Sequence, residues 1–258
     1  MMQNRFHRFV FLCFLIILQG CSSTFEERQP ETSLRVQEED TIIVRRPENS
    51  TIDSGRSFND LLESEQVAND SDFLVTAFPR AGERAQDALA SILEQEEEEF
   101  VLLGSDRTGV RIPYRFSPDQ SDLGLRVLKS DQVVSPDNLD PTDSIESSAD
   151  VVISGHVENG FVGMGPSVEN RTNKHVPDDH ALFRVETVWR IHMPDRGTSE
   201  TVRINDEELV NFYSHPDPVK RFYRLEKTFH QLLRRVAWRV ASRLVPHQYD
   251  TSFGKEDE

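Results

Sequence analysis

Residues 181–193 read ALFRVETVWRIHM and alternate strictly. Phe183, Val185, Thr187, Trp189, Ile191 and Met193 fall on one face of an extended chain, and Arg184, Glu186, Val188, Arg190 and His192 on the other. A period of two with one apolar face is the pattern of a long strand buried on one side. Pro194-Asp195-Arg196-Gly197 follows as a turn, because Pro presets φ and Gly accepts a positive φ. Thr201 to Ile204, with Leu209 to Tyr213 beyond it, then reads as the returning half of a hairpin. Arg184, Arg190 and His192 line up on the solvent face, with Arg203 opposite, which suits either cross-strand charge pairing or a partner-binding face.

Toward the C-terminus, Asp217-Pro218 is an N-cap followed by Pro at the first helical position. Residues 219–245 hold neither Gly nor Pro, and Pro246 stops the helix. Phe222, Leu225, Phe229, Leu232, Leu233, Val236, Val240 and Leu244 form its apolar stripe. Lys220, Arg221, Arg224, Lys227, Arg234, Arg235, Arg239 and Arg243 take the other side, and Trp238 reads as one of that basic side. Only Asp217 and Glu226 are acidic there, so the helix reverses the sign of the whole chain, which has 29 Lys and Arg against 45 Asp and Glu and a net charge of −16. Arg234, Arg235, Trp238 and Arg239 are therefore the candidate contact residues. The helix pairs with acids of its own fold, docks an anionic partner, or touches lipid headgroups. The net charge opposes nucleic-acid binding and also broad adhesion to an anionic membrane surface, so that a lipid would have to supply attachment.

Toward the N-terminus, Val151 to Gly155 reads as a central strand continuing toward Phe161 and Val162, with Gly155 marking close packing. Residues 163–180 read as a Gly/Pro/Asn-rich loop. Its His175, Asp178, Asp179 and His180 match no standard zinc spacing, and a polar loop is the reading adopted. Val110 to Phe116 and Leu125 to Val134 read as strands, and 135–150 as loop. Asp106 and Arg107 read as an ordinary turn. Phe73 to Phe78, a helix over 81–95 and Phe100 to Leu103 give a β-α-β opening, which predicts neighbouring parallel strands. Glu96 to Glu99 should end the helix, since like charges there oppose the macrodipole. Residues 22–70 are polar and acidic enough to read as disordered. Two islands interrupt them, Thr41-Ile42-Ile43-Val44 and Phe58 with Leu61 and Leu62. These fit a strand added to a sheet edge and one helical turn, or sparse apolar residues in a linker.

Residues 1–23 read MMQNRFHR, FVFLCFLIIL, QGCSS. Arg5 and Arg8 precede an apolar run from Phe9 to Leu18 that is too short to span a bilayer. The run ends in Leu18-Gln19-Gly20-Cys21, and at these residues the chain resembles a bacterial lipoprotein signal with its lipobox. The resemblance implies cleavage before Cys21 and acylation (palmitate included) of that residue. Ser22 after it implies sorting to the outer membrane, facing the periplasm. Without a lipobox the run would be an ordinary cleaved signal or an uncleaved anchor. Cys13 and Cys21 are the only cysteines, so a chain starting at Cys21 has no disulfide and no spare thiol for catalysis.

The fold expected is α+β: a mixed sheet opening β-α-β, a long antiparallel hairpin and a long C-terminal helix packed on the sheet. Its divisions are a signal peptide 1–20, a lipidated disordered acidic tether 21–71, a globular domain 72–246 and a disordered tail 247–258. This order of elements, with Ala149-Asp150 to Ser154-Gly155, resembles the peptidoglycan-synthase activator lipoproteins and their relatives in curli secretion. It also resembles the lipopolysaccharide-assembly lipoprotein that plugs an outer-membrane barrel. The resemblances imply a non-enzymatic adaptor or activator in envelope biogenesis, or an envelope-transport accessory. The partners implied are the lipid bilayer through acylated Cys21 and an envelope protein, a peptidoglycan synthase or an outer-membrane assembly barrel. A long tether favours the activator. GxSxG, HExxH and a phosphate-binding glycine loop are missing from the sequence, so neither catalysis nor a metal or cofactor is expected. A periplasmic hydrolase assembled from distant residues is the remaining alternative.

Overall fold

A computed structural model describes residues 34–49, 56–63, 72–78, 80–94, 100–105, 111–118, 123–133, 148–213, 215–245 and 247–250. All of them lie in the unit spanning residues 32–258. The signal run, Leu18, Gly20 and Cys21, the segment up to residue 33, Asp106 and Arg107, Glu96 to Glu99 and residues 251–258 lie outside the described residues.

The hairpin organises the main sheet. Strand β9 (His180–Met193) and strand β10 (Thr198–Asn211) pair along their whole length, joined by a 3-10 turn at Pro194–Arg196. Gly197 takes φ 58°, as the turn chemistry requires. All six residues of the expected apolar face of β9 are at most 2% exposed. Strand β8 (Val151–Met164) lies antiparallel along the other edge of β9. At Gly155 a Cβ would meet the Trp189 ring at 2.7 Å, so the glycine admits the indole into the core. The Trp189 Nε1 donates to Thr187 Oγ1, and that hydroxyl donates to the Ile204 carbonyl, so both polar groups are satisfied inside the sheet.

The far edge of β8 is shared. Strand β1 (Thr41–Arg46) pairs with Val151 to Ile153, strand β2 (Glu48–Asn49) with His156 and Val157, and strand β4 (Phe73–Ala77) with Val162 to Met164. Strand β7 (Arg126–Val133) lies parallel beyond β1. The path across the sheet is β10-β9-β8-β1-β7.

The placement of β1 corrects the expected tether and domain start. Ile42 and Val44 are fully buried in an interior strand with parallel neighbours on both sides. Leu34 and Val36 join the same core, and Val36 N–H donates to the Leu244 carbonyl. The folded body therefore starts by Leu34 rather than at residue 72. Between β1 and β4, strand β3 (Arg56–Ser57) pairs parallel with β4, and helix α1 (Phe58–Glu63) sets Phe58 on Phe78 at 5.2 Å.

Helix α2 (Ala81–Leu93) appears where the sequence puts it and packs over β1 and β7. The parallel β-α-β opening does not form. Both edges of β4 are already taken, by β3 and β8. The next strand, β5 (Phe100–Ser105), instead pairs antiparallel with β6 (Arg111–Pro118) in a separate three-stranded sheet. Its third strand is β11 (His247–Asp250), so the first four residues of the expected tail are in a strand.

Residues 163–180 are not all loop. Helix α3 (Gly165–Thr172) occupies the first half, with Pro in its first turn and Asn173 as a left-handed C-cap. Its one buried side chain, Val168, closes a small cluster with Phe161, Val176 and Leu182. The long helix α4 (Pro218–Ala241) starts at Asp217, whose Oδ1 accepts from Val219 N–H at 3.0 Å. It packs on α2, β9 and β10 and stacks Phe229 on Phe78 with ring centroids 3.9 Å apart. The architecture is thus α+β, a mixed sheet with a long hairpin and a C-terminal helix packed on it.

Candidate functional site

The candidate residues all sit on α4, and its two halves meet different surroundings. In the C-terminal half the terminal strand β10 lies alongside. The Arg235 Nε donates to Asp206 Oδ2 at 2.6 Å and its Nη1 to Glu208 Oε2 at 2.8 Å. The three side chains are only 11–13% exposed. Burial works against the Arg235 charge, but Asp206 and Glu208 outweigh it and raise the guanidinium above its ordinary range. Arg239 reaches the Asn205 carbonyl at 3.4 Å, Arg235 also reaches that of Glu207 at 3.5 Å, and Arg243 pairs with Glu200 at 3.4 Å. The contacts to the Asn205 and Glu207 carbonyls occupy backbone acceptors on a strand at the end of the sheet, where an extra strand would otherwise find a template. Burial holds the half-buried Arg234 guanidinium below its ordinary range.

Trp238 does not belong to the basic side. It is 3% exposed and packed in the main core with Val236, Ala237, Val240 and Ala241. This half of α4 is covered from more than one direction, so its buried face is wider than the stripe that spacing predicts. Of the candidate contact set, Trp238 is core and Arg235 is held by acids of its own fold.

The N-terminal half is different. Phe222, Leu225 and Phe229 face the core. Arg221 holds the entry loop, donating to the His215 carbonyl at 2.6 Å and lying over the Tyr213 ring at 4.9 Å. Glu226 turns to α2 and accepts from Arg84 at 2.8 Å. Outward point Val219, 74% exposed, and Tyr223, 69% exposed. Beside them Lys220, Arg224 and Lys227 are exposed too. Sequence reasoning placed the three cations on this side but not Val219 and Tyr223. The signal was present for Tyr223, which at 100° per residue lies off the apolar stripe and beside Lys227, but not for Val219, which falls at the edge of the stripe near Leu244.

The remaining polar candidates are dispersed. His175 bonds Glu169 at 2.7 Å, whereas His180 bonds Asp179 at 2.6 Å. The His180 contact holds the Asp179 carboxyl below its usual range, and Asn211 adds a bond to the same group. Among the described residues no group of three or more His, Cys, Asp or Glu side chains converges to hold a metal ion. On the outer face of the hairpin Arg203 pairs with Glu158 at 3.1 Å, Arg184 with Glu186 at 2.6 Å, and Arg190 donates to Ser199 at 3.0 Å. Among the described residues no helix is long and apolar enough to cross a membrane.

No protein-family model matches the chain, and no curated protein does. Among solved structures it is similar to a PelC dodecamer from Paraburkholderia phytofirmans, at 13% identity over 82% of this chain and 91% of that one, with a TM-score of 0.35. A candidate lipoprotein from Caulobacter crescentus is similar at 12% identity over 66% and 85% of the two chains, TM-score 0.31. A Xanthomonas campestris protein of the DUF330 family is similar at 9% identity over 83% and 90%, TM-score 0.31. Scores this low describe a loose likeness and identify neither family nor function.

Proposed function

We propose that the chain is a lipid-anchored, non-enzymatic envelope protein that works as an accessory or adaptor close to the membrane holding it. The observation that carries this reading is the Leu18-Gln19-Gly20-Cys21 end of the signal run, in a chain whose one other cysteine lies inside that run. What refines it is the burial of Leu34 and Val36. From Cys21 to Leu34 is 34 − 21 = 13 residues, which span about 45 Å at most when fully extended. An activator meeting an enzyme across the peptidoglycan layer needs more reach, whereas an accessory of an outer-membrane transport or assembly machine needs its lipid near its body. The second is therefore preferred over the peptidoglycan-synthase activator.

Two measurements test the reading. Mass analysis of the N-terminal peptide should find it beginning at an acylated Cys21; an unmodified thiol, or a chain still beginning at Met1, removes the anchor. Crosslinking capture from membranes with Cys21 intact should recover components of an outer-membrane transport or assembly barrel. Recovery of a peptidoglycan synthase instead would return the protein to cell-wall synthesis.

A further inference from the structure

The exposed surface of the N-terminal half of α4 is built from Val219, Lys220, Tyr223, Arg224 and Lys227. It combines an aliphatic and an aromatic side chain with three cations. Of the two acids there, Glu226 is engaged by Arg84 of α2 and Asp217 caps the helix by accepting from Val219 N–H. On a chain of net charge −16, exposed cations gathered on one helix face suit an anionic surface. We propose that this surface docks on the anionic headgroups of a phospholipid bilayer. A Tyr ring suits the headgroup level, where one end of the side chain is wet and the other apolar. Lys and Arg stems lie along apolar surface while their heads reach phosphates. Val219 adds the shallow apolar contact that interfacial helices use.

In the acylated protein the consequence is orientation, added to a weak attachment of the surface's own. The choice of membrane rests on the lipoprotein reading, in which the acyl group supplies the holding force. The described residues nearest Cys21 in sequence are tied to the opposite end of α4, through the bond from Val36 N–H to the Leu244 carbonyl. The 24 residues of α4 rise about 36 Å. With the described chain beginning near one end of α4 and a cationic surface at the other, contact of that surface with the bilayer would favour one face of the sheet looking away from it.

The test separates this from the anchor. The chain from residue 21 with Cys21→Ser keeps every described residue and no lipid. Its co-sedimentation is measured with vesicles of phosphatidylethanolamine and phosphatidylglycerol, and with neutral phosphatidylcholine vesicles. Binding to the anionic vesicles only, falling with salt, is expected. The combined Lys220→Glu, Arg224→Glu and Lys227→Glu chain should bind more than about tenfold more weakly. Tyr223→Ser should lose a smaller factor, and Arg126→Glu, an exposed cation on β7, should change nothing. Circular dichroism confirms that each variant is folded. No binding by the parent chain, equal binding to neutral vesicles, or reversal without effect would each overturn the proposal. So would the reversed chain losing a crosslinked protein while keeping vesicle binding, which would give the surface to an acidic protein. A failed vesicle result leaves acylation of Cys21 untouched, and an unacylated Cys21 leaves the vesicle result standing.

Discussion

The two halves of α4 have similar compositions and different uses. Each carries arginines and one aromatic residue off the central stripe, Tyr223 in the first half and Trp238 in the second. The second half runs beside β10, which offers Asp206, Glu208 and Glu200, so its cations are spent inside the fold and its aromatic is covered. In the first half Arg221 is engaged by the entry loop, whereas Tyr223, Lys220, Arg224 and Lys227 are exposed. Residue type therefore does not distinguish an internal brace from a contact surface. The neighbours that the sheet brings alongside do.

The largest effect that could break this comparison is at Trp238. Trp238→Ala should cost about 3–5 kcal/mol, because an enclosed indole leaves a cavity that a helix cannot collapse around. Tyr223→Ala should change stability by about 0.5 kcal/mol or less. Urea denaturation of both variants reads the difference, and equal losses would mean that the two halves are not distinct environments.

Arg235→Ala comes next, at about 2–3 kcal/mol. It leaves two nearly buried carboxylates facing each other without their cation. Replacing Arg224, exposed on the first half, should cost little. A near-zero result for Arg235→Ala would show that Asp206 and Glu208 relax into solvent and that the brace is weak. At a similar or smaller scale, Gly155→Ala should cost about 1–3 kcal/mol, since its methyl would sit 2.7 Å from the Trp189 ring. Thermal melts check it, and a stabilised variant would mean that the indole has room to move.

What was legible in the sequence follows the same division. The β9 face and the N-cap of α4 are local: six alternating side chains and an Asp-Pro pair specify them without reference to the rest of the chain. Strand β1 is not local. An interior parallel strand reads as a continuous apolar run, and Ile42, Ile43 and Val44 give only three strongly apolar residues before Arg45, Arg46 and Pro47. Helix α3 escaped because one buried valine makes no period and its Gly-Pro start imitates a turn. The parallel β4 to β5 pairing was wrong because sequence order does not reveal that β3 and β8 already occupy the edges of β4. For the candidate site, spacing put Arg235 on the basic side and left pairing within the fold as one of three readings, but it could not name Asp206 and Glu208 as the acids that receive it. Trp238 was misplaced because the width of a buried face depends on how many elements press on it.

The smallest effect probes the join between the halves. His230 lies one turn from Glu226 on α4, with Arg84 of α2 across from it. Burial, and then the Arg84 cation, push the His230 pKa below 6.5, and Glu226 pulls weakly the other way. A histidine whose folded pKa is depressed stabilises the fold above its unfolded value of about 6.5. That stability is lost as pH falls toward the folded value, where the folded state must also take up the proton. The wild-type chain should therefore lose more stability between pH 7.5 and pH 5.5 than a His230→Gln chain does. The side chain is 43% exposed, so solvent screens the interaction and the difference will be a fraction of what a buried histidine gives. Paired urea titrations at the two pH values measure it. If the two chains lose the same amount, the contact between α2 and α4 at this point does not sense protonation, and the halves of α4 are separated only by what lies beside Arg235 and Trp238.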